Sequence, residues 1–245
     1  MIAKVKPLKR WIRRYSSAGR KALAERSPLW MRRFLGPSAS YIDLMLMDHG
    51  LFRLIYLNEH RLGKNAWRSA QPAPHDIARL KRAGIRTVIN LRGDRMCGSY
   101  WLEVEACRRH GIRLETCVLR SRAAPSVKEL HAARETLQRV EYPILIHCKS
   151  GADRAGLMSA LYLHIIEGQP MEHCLRQLSL RYGHIRQADT GVLDHFIMRY
   201  IEANRRQPIE FYDWVDNGYD PEEVLRTFRA NSLASRFVND ILRRE

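Results

Sequence analysis

The run YPILIHC, residues 142 to 148, is apolar and β-branched without a polar alternation, which suits a central strand covered on both faces and not a half-exposed one. Pro143 falls at its start, where a missing N–H is tolerated. A short turn containing Gly151 follows at once, and behind it a segment that reads as a helix from about 154 to 167. A buried strand that feeds directly into a helix demands further strands beside it, and the preceding sequence supplies them. AWRSAQ (66 to 71) and RTVINLR (86 to 92) read as strands, as does IRLETCVL (112 to 119). Helical patterns begin near Pro74 and span about 99 to 110 and 126 to 140. Two more helices are predicted at about 170 to 181 and 188 to 204. This alternation predicts an α/β fold with a central, mainly parallel sheet flanked by helices.

Both ends differ from that middle, so the chain divides into an N-terminal extension (1–65), an α/β domain (66–205) and a C-terminal extension (206–245). Residues 1 to 35 hold eleven lysines and arginines against one acidic residue, Glu25, within a chain of formal charge +16. Ile2, Val5, Leu8, Ile12 and Tyr15 recur at helical spacing, although Pro7 weakens the first turn. A basic amphipathic segment of this kind suits an anionic membrane surface, with a solvated arm or a helix packed on the main domain as the alternatives. The basic stretch does not lead into an apolar core with a cleavage site, and YIDLMLMDHGLFRLIYL is interrupted by Asp43, Asp48 and Arg53. The expectation is a cytoplasmic protein, peripheral at most on the inner face of the membrane. In the tail, Phe211, Tyr212 and Trp214 stand among acidic residues, and Pro221 opens a helix whose Val224, Leu225 and Phe228, with Phe237, Val238 and Ile241 beyond, suggest an apolar face.

Five cysteines at unpaired spacing argue for a reducing compartment. Cys107 and His110 stand three apart with no second ligand pair at metal-site spacing, so neither metal nor cofactor is expected. The informative cysteine is Cys148. In HCKSGADRAG it is separated by five residues from Arg154, at the junction of strand and helix. Successive amides of such a loop (Lys149, Ser150, Gly151, Ala152, Asp153, Arg154) and the positive end of the helix dipole can cradle a tetrahedral dianion. The same groups favour a sulfur anion at Cys148, a nucleophile. Arg154 can grip two phosphate oxygens with its planar fork, which lysine cannot.

The segment from AWRSAQP through AGIRTVINLR to HCKSGADRAG resembles the protein tyrosine phosphatase superfamily, in its atypical dual-specificity branch, similar to fungal and plant enzymes that act on phosphotyrosine or inositol polyphosphates. The resemblance implies a metal-free, two-step reaction in which Cys148 takes the phosphoryl group as a thiophosphate. A general acid protonates the leaving oxygen, and water then hydrolyses the intermediate. Two departures stand out. Ala155 replaces the Ser or Thr usual after the loop arginine, which predicts a slow second step. LRSRAAPSVKE, where the family carries its acid, contains no aspartate. Asp153 is the candidate acid, because some relatives carry an aspartate at this loop position; its alternative role is to cap the helix that begins there. Asp189 is the reserve.

His147 precedes the nucleophile, and Gln187 stands where the family often positions its attacking water. His184 and Arg186 line the entrance or bond locally. Arg68, Arg92, Arg120 and Arg122 stand at predicted strand ends, where α/β sites form, and as a cluster they would suit an anion. The reading is a phosphomonoesterase acting on a phosphorylated protein, phosphotyrosine first, with a membrane lipid or inositol phosphate as the alternative. A loop that binds phosphate without cleaving it is the further alternative. Nucleic acid fits poorly, because few aromatics are interleaved with the basic arm.

Overall fold

The computed structural model describes residues 57–94 and 98–230; the basic segment 1–35, Cys97 and the apolar positions Phe237, Val238 and Ile241 lie outside that range. Five strands form one sheet: β1 (His60–Arg61), β2 (Ala66–Ser69), β3 (Thr87–Asn90), β4 (Arg113–Thr116) and β5 (Ile144–His147). Their order is β1-β2-β5-β3-β4, and only the β1–β2 pair is antiparallel. The apolar run thus lies in the middle. Its residues alternate between two cores, Ile144 and Ile146 facing one and Leu145 the other, so a strand polar on every second residue would have buried unpaired groups.

Helices cover both faces. On the smaller core lie α1 (Pro74–Arg82) and α2 (Gly98–His110), which bring Ile77, Leu80, Ala106 and Cys107 against Val88 and Leu145. The larger core takes α3 (Val127–Arg139), α4 (Asp153–Ile165), the single turn α5 (Met171–Cys174) and α6 (Val192–Arg206). Helix α3 starts with a capping box: Ser126 Oγ accepts from the Glu129 amide at 3.2 Å, and the Ser126 amide donates to Glu129 Oε2 at 2.7 Å. Helix α4 is buried nearly all round, from Ala155 to Leu163, as befits the element that follows the central strand.

The long helix expected at 170 to 181 does not form. After α5 the chain passes through two short 3-10 turns, Leu175–Gln177 and Leu180–Tyr182. Ser179 is extended (φ −143°) and Gly183 is left-handed (φ +78°), a conformation that glycine adopts without penalty. Tertiary demand overrides the helical spacing, because Gln177 and Tyr182 are both recruited to the loop described below.

Residues 57–65, read from sequence as part of an extension, contribute the edge strand β1, with His60 opposite Arg68. The tail is also built in: α7 (Phe211–Asn217) and the helix α8 over 221–230 place Phe211, Trp214, Val215, Tyr219 and Val224 in the larger core. Phe211 and Trp214 lie with Phe196 and Tyr200 at ring-centroid separations of 5.0 to 6.2 Å, within the range of favourable aromatic pairs. No helix among the described residues is long and apolar enough to cross a membrane.

Candidate active site

The register aligns the ends of the three middle parallel strands: Ser69, His147 and Asn90 are partners across β2, β5 and β3. The loop from Cys148 to Arg154 therefore leaves the sheet at the carboxyl end of its central strand, flanked by the loops after β2 and β3, where ligands of α/β sheets bind.

Its shape is enforced from one side. Arg68 is 0% exposed and donates to Gly151 O at 2.6 Å, Ala152 O at 2.9 Å, Gln177 O at 2.7 Å and Gln177 Oε1 at 2.9 Å. Asn58 Nδ2 donates to Ser150 O at 3.0 Å and to Tyr182 O at 2.9 Å, and its Oδ1 lies 2.9 Å from His60 Nε2. Three successive loop carbonyls thus point toward buried donors. In a trans peptide the carbonyl and the following N–H point in opposite directions, so the amides of Gly151, Ala152 and Asp153 face the other side of the loop. Among the described residues none of these three amides donates to another backbone carbonyl. Helix α4 starts at Asp153 and adds the positive end of its dipole to that ring of donors.

Gly151 is required here. Its φ is +75°, and a Cβ would come within 2.7 Å of Ala70 N and Ser69 C and 3.0 Å of Asn58 Nδ2. Cys148, 2% exposed, sits at the base of the loop. Burial is the largest influence on Arg68 and lowers it to about 10, with Cys148, Tyr182 and Asp153 acting in the opposite sense. The Arg68 Cζ also lies 4.1 Å from the Tyr182 ring centroid. Burial pushes Cys107 and Cys174 to about 12, and Cys117 upward as well. They are packing thiols.

A second brace holds the strand end. His147 Nε2 is 2.6 Å from Glu103 Oε1, both side chains wholly buried; the pair meets the distance of a salt bridge without the alignment of a hydrogen bond. Glu103 Oε2 accepts from Gln71 Nε2 at 2.8 Å and from Asn90 Nδ2 at 3.3 Å, and Arg92 donates to Gln71 Oε1.

The residues expected from sequence separate accordingly. Arg154 reaches across to the residue that follows β3, donating to Leu91 O at 3.3 Å. Lys149 is half-buried and Ser150 exposed. Of the supposed arginine cluster, Arg68 holds loop carbonyls and Arg92 is buried against Gln71, so neither stands free for an anion. Arg120 is exposed and paired with Glu129 at 2.8 Å, and Arg122 is exposed. Gln187 and Asp189 are on the surface.

Asp153 is the first residue of α4, one place past the N-cap position, which Ala152 occupies. The Asp153 Oδ1 lies 2.7 Å from His184 Nδ1, and His184 Nε2 lies 2.5 Å from Asp194 Oδ2. Asp194, 1% exposed, is joined by Arg186 Nε at 3.2 Å. Burial opposes charge on His184, but the bonds to Asp153 and Asp194 outweigh it and raise the imidazole to about 9. Among the described residues no group of three or more His, Cys, Asp or Glu side chains is placed to hold a metal ion.

A family model described as a Swiss Army Knife protein, DSP-PTPase phosphatase domain, matches residues 63–190. The chain therefore belongs to this dual-specificity, tyrosine-phosphatase-like domain family. Its sequence is 27% identical over 125 residues to the dual specificity protein phosphatase TpbA of Pseudomonas aeruginosa, covering 50% of this chain and 53% of TpbA, so the chain spans about half the length of the curated relatives it matches. The crystal structure of P. aeruginosa TpbA overlaps with a TM-score of 0.48 at 19% identity, covering 71% of this chain and 91% of that one. The core catalytic domain of the PP-IP phosphatase SIW14 from S. cerevisiae gives 0.47 at 18% identity, covering 63% and 96%.

Proposed function

We propose that this chain is a cysteine-dependent phosphomonoesterase of the dual-specificity type, with phosphotyrosine in proteins as its substrate class. One observation carries the reading: Arg68 and Asn58 hold three loop carbonyls away from the side on which the amides of Gly151, Ala152 and Asp153 are left to bind an anion.

A phosphate seated on those amides is held in addition by Arg154, whose fork follows the equatorial oxygens through transfer. Cys148 Sγ attacks phosphorus, an S–P bond forms and the ester P–O bond breaks. Asp153 protonates the departing oxygen. Water then attacks the thiophosphate and releases inorganic phosphate. Ala155, wholly buried, offers no hydroxyl to the departing thiolate, so the second step limits turnover and the thiophosphate accumulates as a burst. Metal plays no part in these steps.

The test is Cys148→Ser. Wild type is expected to release a burst of 4-nitrophenolate, and the variant to lose at least about 10³-fold in turnover while keeping its affinity for tungstate. Wild type that binds tungstate but releases nothing over long incubation would overturn the reading in favour of a binding module. A panel of phosphotyrosine peptides and phosphoinositides then tests the substrate class: kcat/KM higher on the peptides supports it, and higher on the lipids overturns it.

A further inference from the structure

The chain of side chains behind Asp153 carries a chemical requirement of its own. Both ring nitrogens of His184 lie within hydrogen-bond distance of a carboxylate oxygen, Asp153 Oδ1 at 2.7 Å and Asp194 Oδ2 at 2.5 Å. An ionised carboxylate only accepts, and a neutral imidazole has a single N–H. One nitrogen would then set a lone pair against an oxygen lone pair inside a buried site. The contacts are satisfied only when the three groups together hold one proton more than two carboxylates and a neutral ring would.

We propose that Asp153, His184 and Asp194 form one proton-holding unit, in which His184 is a positioning residue that stores the proton and Asp153 delivers it to the leaving oxygen. This rests on the assignment of Asp153 as the acid made above. At rest the proton is on His184 and Asp153 is ionised. During transfer the Nδ1–H bond breaks and an O–H bond forms on Asp153. That carboxyl, turned about its Cβ–Cγ bond, gives the proton to the alkoxide or phenoxide as the ester bond breaks, leaving His184 neutral. The water that hydrolyses the thiophosphate supplies a proton that returns to His184, so the cycle closes with one water consumed.

The surroundings fit storage. The His184 side chain is 0% exposed while that of Asp153 is 24% exposed, so the donor reaches solvent and the store does not. Asp194, at the start of α6, fixes the far nitrogen and is itself held by Arg186 on the segment of His184. Arg68 on β2 faces Asp153 from below, and Arg154 adjoins it in sequence. An ionised aspartate has no proton of its own to give a leaving oxygen, which is why the store matters. The elevation of His184 to about 9 is consistent with this resting form.

The experiment compares pH–rate profiles of wild type, His184→Gln and Asp194→Asn on phenyl phosphate, a poor leaving group, and 4-nitrophenyl phosphate, a good one. His184→Gln is expected to lose at least about tenfold on phenyl phosphate at pH 7.5 and less than about threefold on the nitrophenyl ester, since acid catalysis matters most where the leaving group is poor. Its alkaline limb should move toward acid by more than about one pH unit, and Asp194→Asn should move it the same way by less. Equal loss on both esters with an unmoved limb would overturn the relay and make His184 a structural tie. A wild type that turns over neither ester sinks the phosphatase reading instead. Histidine-selective ¹⁵N NMR of the wild-type chain needs no folded variant: a doubly protonated His184 ring at pH 7.5 is expected, and a neutral tautomer there overturns the proposal.

Discussion

Two segments flank the loop, and they are anchored to opposite parts of the molecule. Residues 177–194 are bonded into it at three points: Gln177 through Arg68, Tyr182 through Asn58, and His184 through Asp153. Residues 118–126 are tied elsewhere, to α3 through Arg120 and Glu129 and to the tail through the Tyr219 hydroxyl, which donates to Pro125 O at 2.6 Å. The family resemblance leads one to expect a mobile acid-bearing loop on the 118–126 side, yet that side has no aspartate and the carboxylates converge on the other. In the mechanism proposed above, proton delivery from this side needs no loop closure, because Asp153 is oriented by contacts of the segment that also braces the loop.

The strongest way to break this contrast is Arg68→Met. The methionine keeps much of the volume but leaves the carbonyls of Gly151, Ala152 and Gln177 without their charged donor. Hydrogen bonds to charged groups contribute about 1.5–3 kcal/mol each and are not additive, so a loss of about 3–5 kcal/mol in denaturant unfolding is expected, with tungstate affinity falling alongside. Stability lost without any change in tungstate affinity would mean that segment 177–194 does not shape the loop.

The His184 contacts sharpen it next, through pH. Because the folded imidazole is raised from 6.5 to about 9, its contribution to stability is fully present below about pH 6.5 and disappears as pH rises through about 9. On the order of 2–3 kcal/mol is expected to be lost over that window in wild type, and His184→Gln should flatten the curve. A wild-type stability independent of pH from 6.5 to 9 would remove the charged tie.

What sequence conveys of all this follows from range. The central strand, the loop and the start of α4 are contiguous, so period, glycine placement and the Cys148–Arg154 spacing reveal them together. The braces are not contiguous. Asn58 reaches a carbonyl 92 residues away and Arg68 one 109 residues away, and an arginine at a strand end looks the same whether it faces solvent or lies under a loop. Glu103 sits in a helix with Glu105, Arg108 and Arg109 nearby, and nothing local marks it as wholly buried against His147. Sequence places His184 at the entrance or in a local bond without naming its carboxylate partners, and marks Asp194 as no more than a first-turn acid of α6. The helix expected at 170 to 181 fails for the same reason, since local spacing yields to long-range ties from Gln177 and Tyr182.

On the other flank effects should shrink. Tyr219→Phe deletes one buried hydrogen bond to Pro125 O and keeps the ring in the aromatic cluster with Phe196 and Trp214. A cost of about 1–2 kcal/mol in unfolding is expected, with kcat/KM on 4-nitrophenyl phosphate within about twofold of wild type. A fall in kcat/KM beyond that, with tungstate affinity kept, would make the tail's grip on residues 118–126 part of turnover.

The smallest effect is expected from Arg120→Ala. The guanidinium is 56% exposed and the Glu129 side chain 16%, so solvent screens the pair and exposed ion pairs of this kind contribute about 0.2–1 kcal/mol. Glu129 also keeps its other partners, the amide and hydroxyl of Ser126 at 2.7 and 2.8 Å, so the capping box survives and no buried charge is stranded. Unfolding free energy should fall by less than about 1 kcal/mol, and kcat/KM on a phosphotyrosine peptide should stay within about threefold of wild type. A loss above about tenfold on the peptide but not on 4-nitrophenyl phosphate would mean that Arg120 exchanges Glu129 for the substrate. The 118–126 segment would then be a recognition surface, and the division of labour between the two flanks would be binding on one side and proton transfer on the other.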